Sequence, residues 1–226
     1  MLYSLGHPVA FAALVVSFLL GLVLRAVAIR LSARTLGMAD RNESIMPRLR
    51  EDVDPFGAVA AAIGGMGWGK ALSVDDIPRW RGRGRAAIVF ASGPLTCIVV
   101  AQLFLAASAV AYPDDGFFQF ANPSSVLLAG YDSGVTVGEQ VLLSLGVGLL
   151  TFGLLELIPI PPLDGFGILY SALPRPGAGM QWMRLWFEQK NIGVVVLLAL
   201  CLFPFGAPFL VDILDILGVL FLRAWS

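Results

Sequence analysis

Glu156 and Asp164 stand eight residues apart where an apolar run gives way to Pro159-Ile160-Pro161-Pro162-Leu163-Asp164-Gly165. Carboxylates in such a place can ligate a metal, carry a proton or pair with a cation, and each use demands different neighbours. A catalytic zinc site needs at least three protein ligands. This chain has one histidine, His7, and two cysteines, Cys97 and Cys201, both inside apolar stretches where they read as buried spacers. An ionised group within a bilayer costs about 2.5–3.5 kcal/mol or more unless it is partnered. Asp212 and Asp215 raise the same question in the last apolar region. Their i, i+3 spacing puts them on one helix face, either lining a proton path or ending a helix at an interface. Asp164 before Gly165 also suits a turn.

The elements that must position these acids are membrane helices. Hydrophobic residues make up 58% of the chain and charged residues 14%, with a mean hydropathy of +0.82. A soluble domain carries roughly 25% charged residues. Apolar stretches at residues 8–27, 86–112, 138–160 and 192–222 each approach or exceed the about 20 helical residues that cross a bilayer. Residues 8–27 are longer than a signal peptide's apolar core and lack a basic flank before it, so they read as a retained helix. Pro204 and Pro208 interrupt the last stretch, which is either one kinked helix or a re-entrant pair. The expected fold is all-α and integral to the membrane, with about four to six transmembrane helices.

Basic residues set the orientation. Eleven of the fifteen Lys and Arg lie between Arg25 and Arg85, which places the basic loop 34–85 in the cytoplasm and the N-terminus outside an inner (plasma) membrane. The connection 113–137 carries Asp114, Asp115 and Asp132 and no Lys or Arg, and should face outward. Residues 56–74, with Gly64, Gly65, Gly67 and Gly69 around Met66 and Trp68, are too Gly-rich for a stable helix and predict a short hairpin or re-entrant strand pair at the cytoplasmic interface. Trp68, Lys70, Trp80, Arg81, Arg83 and Arg85 read as interfacial anchors. The stretch 79–85 is a positive-inside flank rather than a specific lipid or nucleic-acid site. Residues 179–190, with Trp182, Leu185 and Trp186 on one side, predict an amphipathic helix lying on the membrane.

Four ordered blocks resemble the short, single-module branch of the site-2 protease family of intramembrane zinc proteases. Residues 24–37 match its His-Glu-x-x-His helix and following Arg-Leu-Gly in placement. Asp54-Pro55-Phe56-Gly57, with the run from Gly64 to Lys70, is similar to its Asp-Pro-x-Gly and Gly-x-Gly-Trp-Ala-Lys. Ala91-Ser92-Gly93-Pro94 opens the second core helix, with Cys97 in place of Asn. The Pro-Pro-Leu-Asp-Gly loop puts Asp164 at the third zinc-ligand position, and Glu156 stands where the family has Asn. The resemblance implies a single membrane domain over 1–226, with a core at 23–168, a C-terminal apolar region at 192–222 and no PDZ-type or soluble domain.

The departures from that pattern remove the chemistry. Arg25 takes the first His position, Ala26 the catalytic Glu and Ile29 the second His; Asp52 stands where the branch has another histidine. Arginine has no lone pair for zinc, and His7 lies about 27 Å from Arg25 along a helix, where it reads as an outer-interface cap. The resemblance thus implies no catalytic residues, no metal and no cofactor, with Asp164 as the residual ligand. An Arg25–Asp164 pair, bridged to Glu156, would replace the metal as a clamp; alternatively Arg25 snorkels to the interface beside Arg30 and Arg34. Three functions stand: an inactive homologue binding other membrane proteins or their transmembrane segments, an active protease with unusual metal ligation, and a transport or proton-path subunit. The bilayer is the expected environment, and nucleic acid is not an expected partner.

Overall fold

The computed structural model describes residues 6–39, 44–113, 118, 121–129, 135–202 and 209–225. Its helices, in chain order, are α1 (Pro8–Thr35), α2 (Leu49–Asp52), α3 (Pro55–Gly64), α4 (Arg83–Ala111), α5 (Pro123–Ala129), α6 (Val137–Glu156), α7 (Asp164–Ala172), α8 (Ala178–Met183), α9 (Ile192–Leu202) and α10 (Phe209–Leu222). Three of them, α1, α4 and α6, are long and apolar enough to cross a membrane. A fourth crossing exists if α9 is counted with the helical segment Ala178–Gln189, from which it bends by 81°. The chain is an all-helical membrane protein at the lower end of the expected span count.

In a bilayer both faces of a helix can be apolar, so residue size rather than polarity marks the inward face. On α1 the buried residues Ala10, Ala13, Leu14, Ser17, Gly21, Arg25, Ile29 and Ala33 recur every three to four positions, the helical period. Val16, Leu19 and Val23 point outward. On α4 the stripe runs Ala86, Val89, Phe90, Gly93, Cys97, Ala101 and Leu105. α6 packs against both, as they do against each other, and is buried continuously from Gly146 to Glu156. Small residues bring these backbones close: a Cβ on Gly153 would sit 2.9 Å from the Pro94 carbonyl oxygen. α7 then packs against α4, with Gly167 against the Phe90 ring.

The Gly-rich segment is not the expected strand pair. Its first half is the helix α3, started by Asp54, whose side chain accepts from Phe56 N at 2.9 Å, and by Pro55 at the first helical position. It is ended by Gly65 in the left-handed region, φ 79°, where glycine carries no Cβ penalty. The chain then returns extended and meets its own entry at one antiparallel bridge, Val53 to Gly69. The tip, around Gly65 to Gly67, packs beside Ser17, Phe18, Gly148 and Thr151. Those α1 positions lie seven to eight residues from Arg25, about 10–12 Å along the helix. The segment therefore dips well past the level of Arg25.

Tertiary packing overrides the glycine count. A Cβ on Gly57 would strike the Trp68 carbonyl, and one on Gly64 would lie 2.8 Å from the Cys201 carbonyl oxygen of α9. Trp68, expected as an interfacial anchor, is instead fully buried, and its indole Nε1 donates to Asp54 Oδ2 at 2.8 Å. The small residues facing it leave room for the ring.

The connection 113–137 also holds a helix that sequence patterning did not indicate, α5. Asp215 on α10 accepts from Ser124 N at its first turn, 2.8 Å; Asp114, Asp115 and Asp132 lie outside the described residues. The last apolar region forms two helices of 11 and 14 residues, each alone too short to cross a ~30 Å core; Pro204 and Pro208 lie outside the described residues.

Candidate functional site

Arg25, Glu156 and Asp164 come together at one end of the three-helix core. Arg25 belongs to the inward stripe of α1, Glu156 is the last residue of α6, and Asp164 opens α7. The loop between the two acids is held by close backbone packing, because Gly165 lies against the carbonyl of Leu157 where no Cβ would fit. All three side chains are withdrawn from the surface: the residues are 5%, 1% and 2% exposed.

The guanidinium is fully engaged along its fork. Arg25 Nε donates to Asp164 Oδ2 at 2.7 Å and Nη2 to Oδ1 at 2.6 Å, the two-point geometry that a planar guanidinium offers a carboxylate. Nη1 donates to the Lys70 carbonyl at 3.0 Å. Glu156 Oε1 lies 3.4 Å from Arg25 Nε and accepts from Gly69 N at 2.9 Å. Its Oε2 is 3.5 Å from Asp164 N. Four separate parts of the chain (α1, the return of the dipping segment, α6 and α7) are thus tied at one cation. Two glycines make the slot. A Cβ at Gly69 would be 2.8 Å from Arg25 Nη1, and one at Gly93 would be 2.8 Å from Arg25 Cγ.

Ile29 and Ala26 offer no side-chain donor atoms for a metal. Ile29 is buried in an apolar cluster with Val74, Ile77, Val89, Phe90 and Phe166. Ala26 faces a cleft of about 440 Å³ that Arg25, Arg30, Asp52 and Lys70 also line. His7 occupies the N-cap position of α1 but its side chain makes no capping hydrogen bond. Lys70, Trp80, Arg81, Arg83 and Arg85 are exposed, Trp80 by 81%.

A second ion pair went unread in the sequence. Arg30 Nη2 and Nη1 reach the two oxygens of Asp52 at 2.5 and 3.1 Å, and Nη1 also donates to the Met46 carbonyl at 2.8 Å. Asp52 Oδ2 accepts from Arg48 N at 2.6 Å. The available signal lay in the resemblance, which sets Asp52, like Arg25, at a histidine position, so that two charges there need partners.

Comparison with curated proteins finds a likeness to a zinc metalloprotease. The chain is 25% identical over 158 residues to the Bacillus subtilis (strain 168) protein named "Putative zinc metalloprotease YwhC", covering 69% of this chain and 63% of that protein. The chain therefore spans less than two thirds of the relative's length. No family model matches the chain, and no solved structure matches it. A zinc ion of the kind the relative's name implies does not fit the residues here. Both Asp164 oxygens are taken up by a guanidinium. Among the described residues no three His, Cys, Asp or Glu side chains converge as a ligand set.

Proposed function

We propose that this protein is a degenerate member of the site-2 protease family, a pseudoprotease that binds or regulates other membrane proteins. The single observation that carries the reading is the two-point Arg25–Asp164 pair, which fills the position of one zinc ligand and consumes another. The clamp takes over the metal's structural task of tying α1 to the loop before α7, and the position aligned with the family's general base holds Ala26. The cleft beside it supports retained binding of a partner segment.

The proton-path reading loses its support in the placement of the acids. Asp215 is used in holding α5, and Asp212 is exposed. α5 lies in the connection that enters α6, whereas Glu156 ends α6, about 30 Å further along the helix.

The expected result for purified protein is zinc well below one ion per chain by elemental analysis, and no chelator-sensitive cleavage of a transmembrane substrate. A photo-crosslinking residue at Leu72, on the cleft wall, should capture a membrane protein, and Ala26→Trp should abolish that capture by filling the cleft. Stoichiometric zinc, or metal-dependent cleavage, would overturn the proposal.

The reading also places the basic loop 34–85 in the cytoplasm of an inner-membrane protein with its N-terminus outside, on the charge asymmetry of the loops. In intact cells an Arg83→Cys variant should resist an impermeant thiol reagent and an Asp115→Cys variant should react. The opposite pattern would reverse the orientation.

A further inference from the structure

Residues 79–85 and 175–190 are separated by α4, α5, α6 and α7 in the chain, yet they meet at one aromatic ring. Arg79 places its guanidinium carbon 4.8 Å from the centre of the Tyr170 ring, and Arg184 places its own at 5.7 Å. Arg79 is fixed further by its bond to the Leu173 carbonyl at 2.8 Å, and Arg184 by its ion pair with Asp75. Each keeps a buried Nε–H with no hydrogen-bond partner. On the chain segments that meet at this node, Arg83, Arg85, Arg175 and Lys190 are all exposed and none is in an ion pair among the described residues.

Aromatic residues of the same two segments are exposed as well. Trp80 is 81% exposed with Arg81 over its ring at 4.9 Å, and Trp186 lies under Lys190 at 4.6 Å. Trp182, Leu185 and Trp186 belong to the helical segment Ala178–Gln189 and are 55%, 45% and 37% exposed. That segment turns by 81° from α9, so if α9 runs near the membrane normal the tryptophan face lies almost flat along the surface. Tryptophan is the residue suited to the headgroup level.

The charge placement is costly for an isolated protein. Arg83 and Arg85 sit in the first turn of α4, which contains no acid, although the positive end of a helix favours negative side chains. An adjacent layer of negative charge offsets both this and the mutual repulsion of the cations. We infer that this face is a binding surface for anionic phospholipid headgroups, assembled from two distant chain segments around Tyr170, and not only the positive flank that sets orientation. Basic clusters beside membrane helices gain about fivefold in affinity per Lys or Arg near an anionic surface.

The test uses the full-length chain in a non-ionic detergent, titrated with phosphatidylglycerol or phosphatidylcholine of identical acyl chains, with bound lipid counted by native mass spectrometry. Phosphatidylglycerol should bind at least about tenfold more tightly. The preference should weaken as added salt screens the charges. The variant R83Q/R85Q/R175Q/K190Q removes four charges that make no ion pair; it should lose the preference by about tenfold or more while keeping its thermal midpoint in phosphatidylcholine. Inorganic phosphate should not displace the lipid at equal phosphate concentration, because the tryptophan face contributes only to a lipid. Equal binding of the two lipids, or a preference that survives in the variant, would overturn the inference. Displacement by inorganic phosphate would overturn it too, as would displacement by a single-stranded oligonucleotide below the lipid's own affinity.

Discussion

Replacing Arg25 by leucine is expected to destabilise the protein by about 3–5 kcal/mol, and replacing Asp164 by leucine by a similar amount. The reason is not the strength of the ion pair itself. Two buried charges in good geometry nearly offset their own desolvation, whereas one of them alone has no water and no counter-ion. The Arg25→Leu change would leave Asp164 and Glu156, 2% and 1% exposed, facing each other without a cation. The Asp164→Leu change would leave Arg25 with only Glu156 at 3.4 Å and the Lys70 carbonyl at 3.0 Å. The double variant replaces the pair by two apolar side chains and should recover part of the loss, the remainder being held back by Glu156, which stays buried without a cation. Equilibrium unfolding of the four proteins in one detergent would measure this as a coupling of about 3 kcal/mol or more. Losses that simply add would show the two residues acting independently and would reject the clamp.

Glu156 sets how far that recovery can go. In the double variant it keeps its bond from Gly69 N at 2.9 Å but has no cation left. A third change, Glu156→Gln, retains an acceptor for Gly69 N and removes the remaining charge, so it should restore further stability in the double variant and cost stability in the parent.

The residues of this cluster were legible through the resemblance, which puts Arg25 and Asp164 at two ligand positions of one site. Arg25, Ala26 and Ile29 lie on one helix in an unbroken register, and Asp164 is tied to the Pro-Pro-Leu-Asp-Gly turn. The cost of an unpaired acid then called for a cation, and the resemblance set Arg25 at the neighbouring ligand position. The backbone partners were not legible: neither Gly69 N nor the Lys70 carbonyl has a side-chain signature, and both reach the site only because the dipping segment folds back on itself.

That segment was misjudged for a related reason. Counting glycines between residues 56 and 74 weighs helix propensity, which is about 1 kcal/mol per glycine, against nothing. The start signal at Asp54-Pro55 and the stop signal at Gly64-Gly65 were both present. What propensity alone does not register is that Gly57 and Gly64 are the places where Trp68 and α9 press on the helix. Trp68 was misplaced by the same omission, since a tryptophan among glycines reads equally as an exposed anchor or as the bulky side chain that the glycines accommodate. α5 was hidden in a connection judged by its acidic charge, with its cap supplied by Asp215 from 91 positions away.

The two glycines of the arginine slot permit a second test of the clamp, through shape rather than charge. Gly69→Ala should destabilise the parent protein by about 1–3 kcal/mol, the usual cost of overpacking a tight core site. Its Cβ would lie 2.8 Å from Arg25 Nη1 and 3.2 Å from Leu22 Cδ2. The first of these atoms is held by the Lys70 carbonyl and by the fork on Asp164 and has nowhere to go; the second ends a flexible side chain. Gly93→Ala should cost a similar amount, with its Cβ 2.8 Å from Arg25 Cγ and 3.2 Å from two atoms of Ile29. The Arg25→Leu/Asp164→Leu background separates the two. Leucine has no atom where Nη1 was, so the Gly69→Ala penalty should fall by more than half. Leucine still has a Cγ, so the Gly93→Ala penalty should persist nearly unchanged. Equal relief at both glycines would mean that the background loosens the whole helix packing and would remove the case for a slot shaped around the guanidinium. Relief at Gly69 alone ties that glycine to the arginine head, the group that the clamp requires and an orientation of Arg25 toward the interface does not.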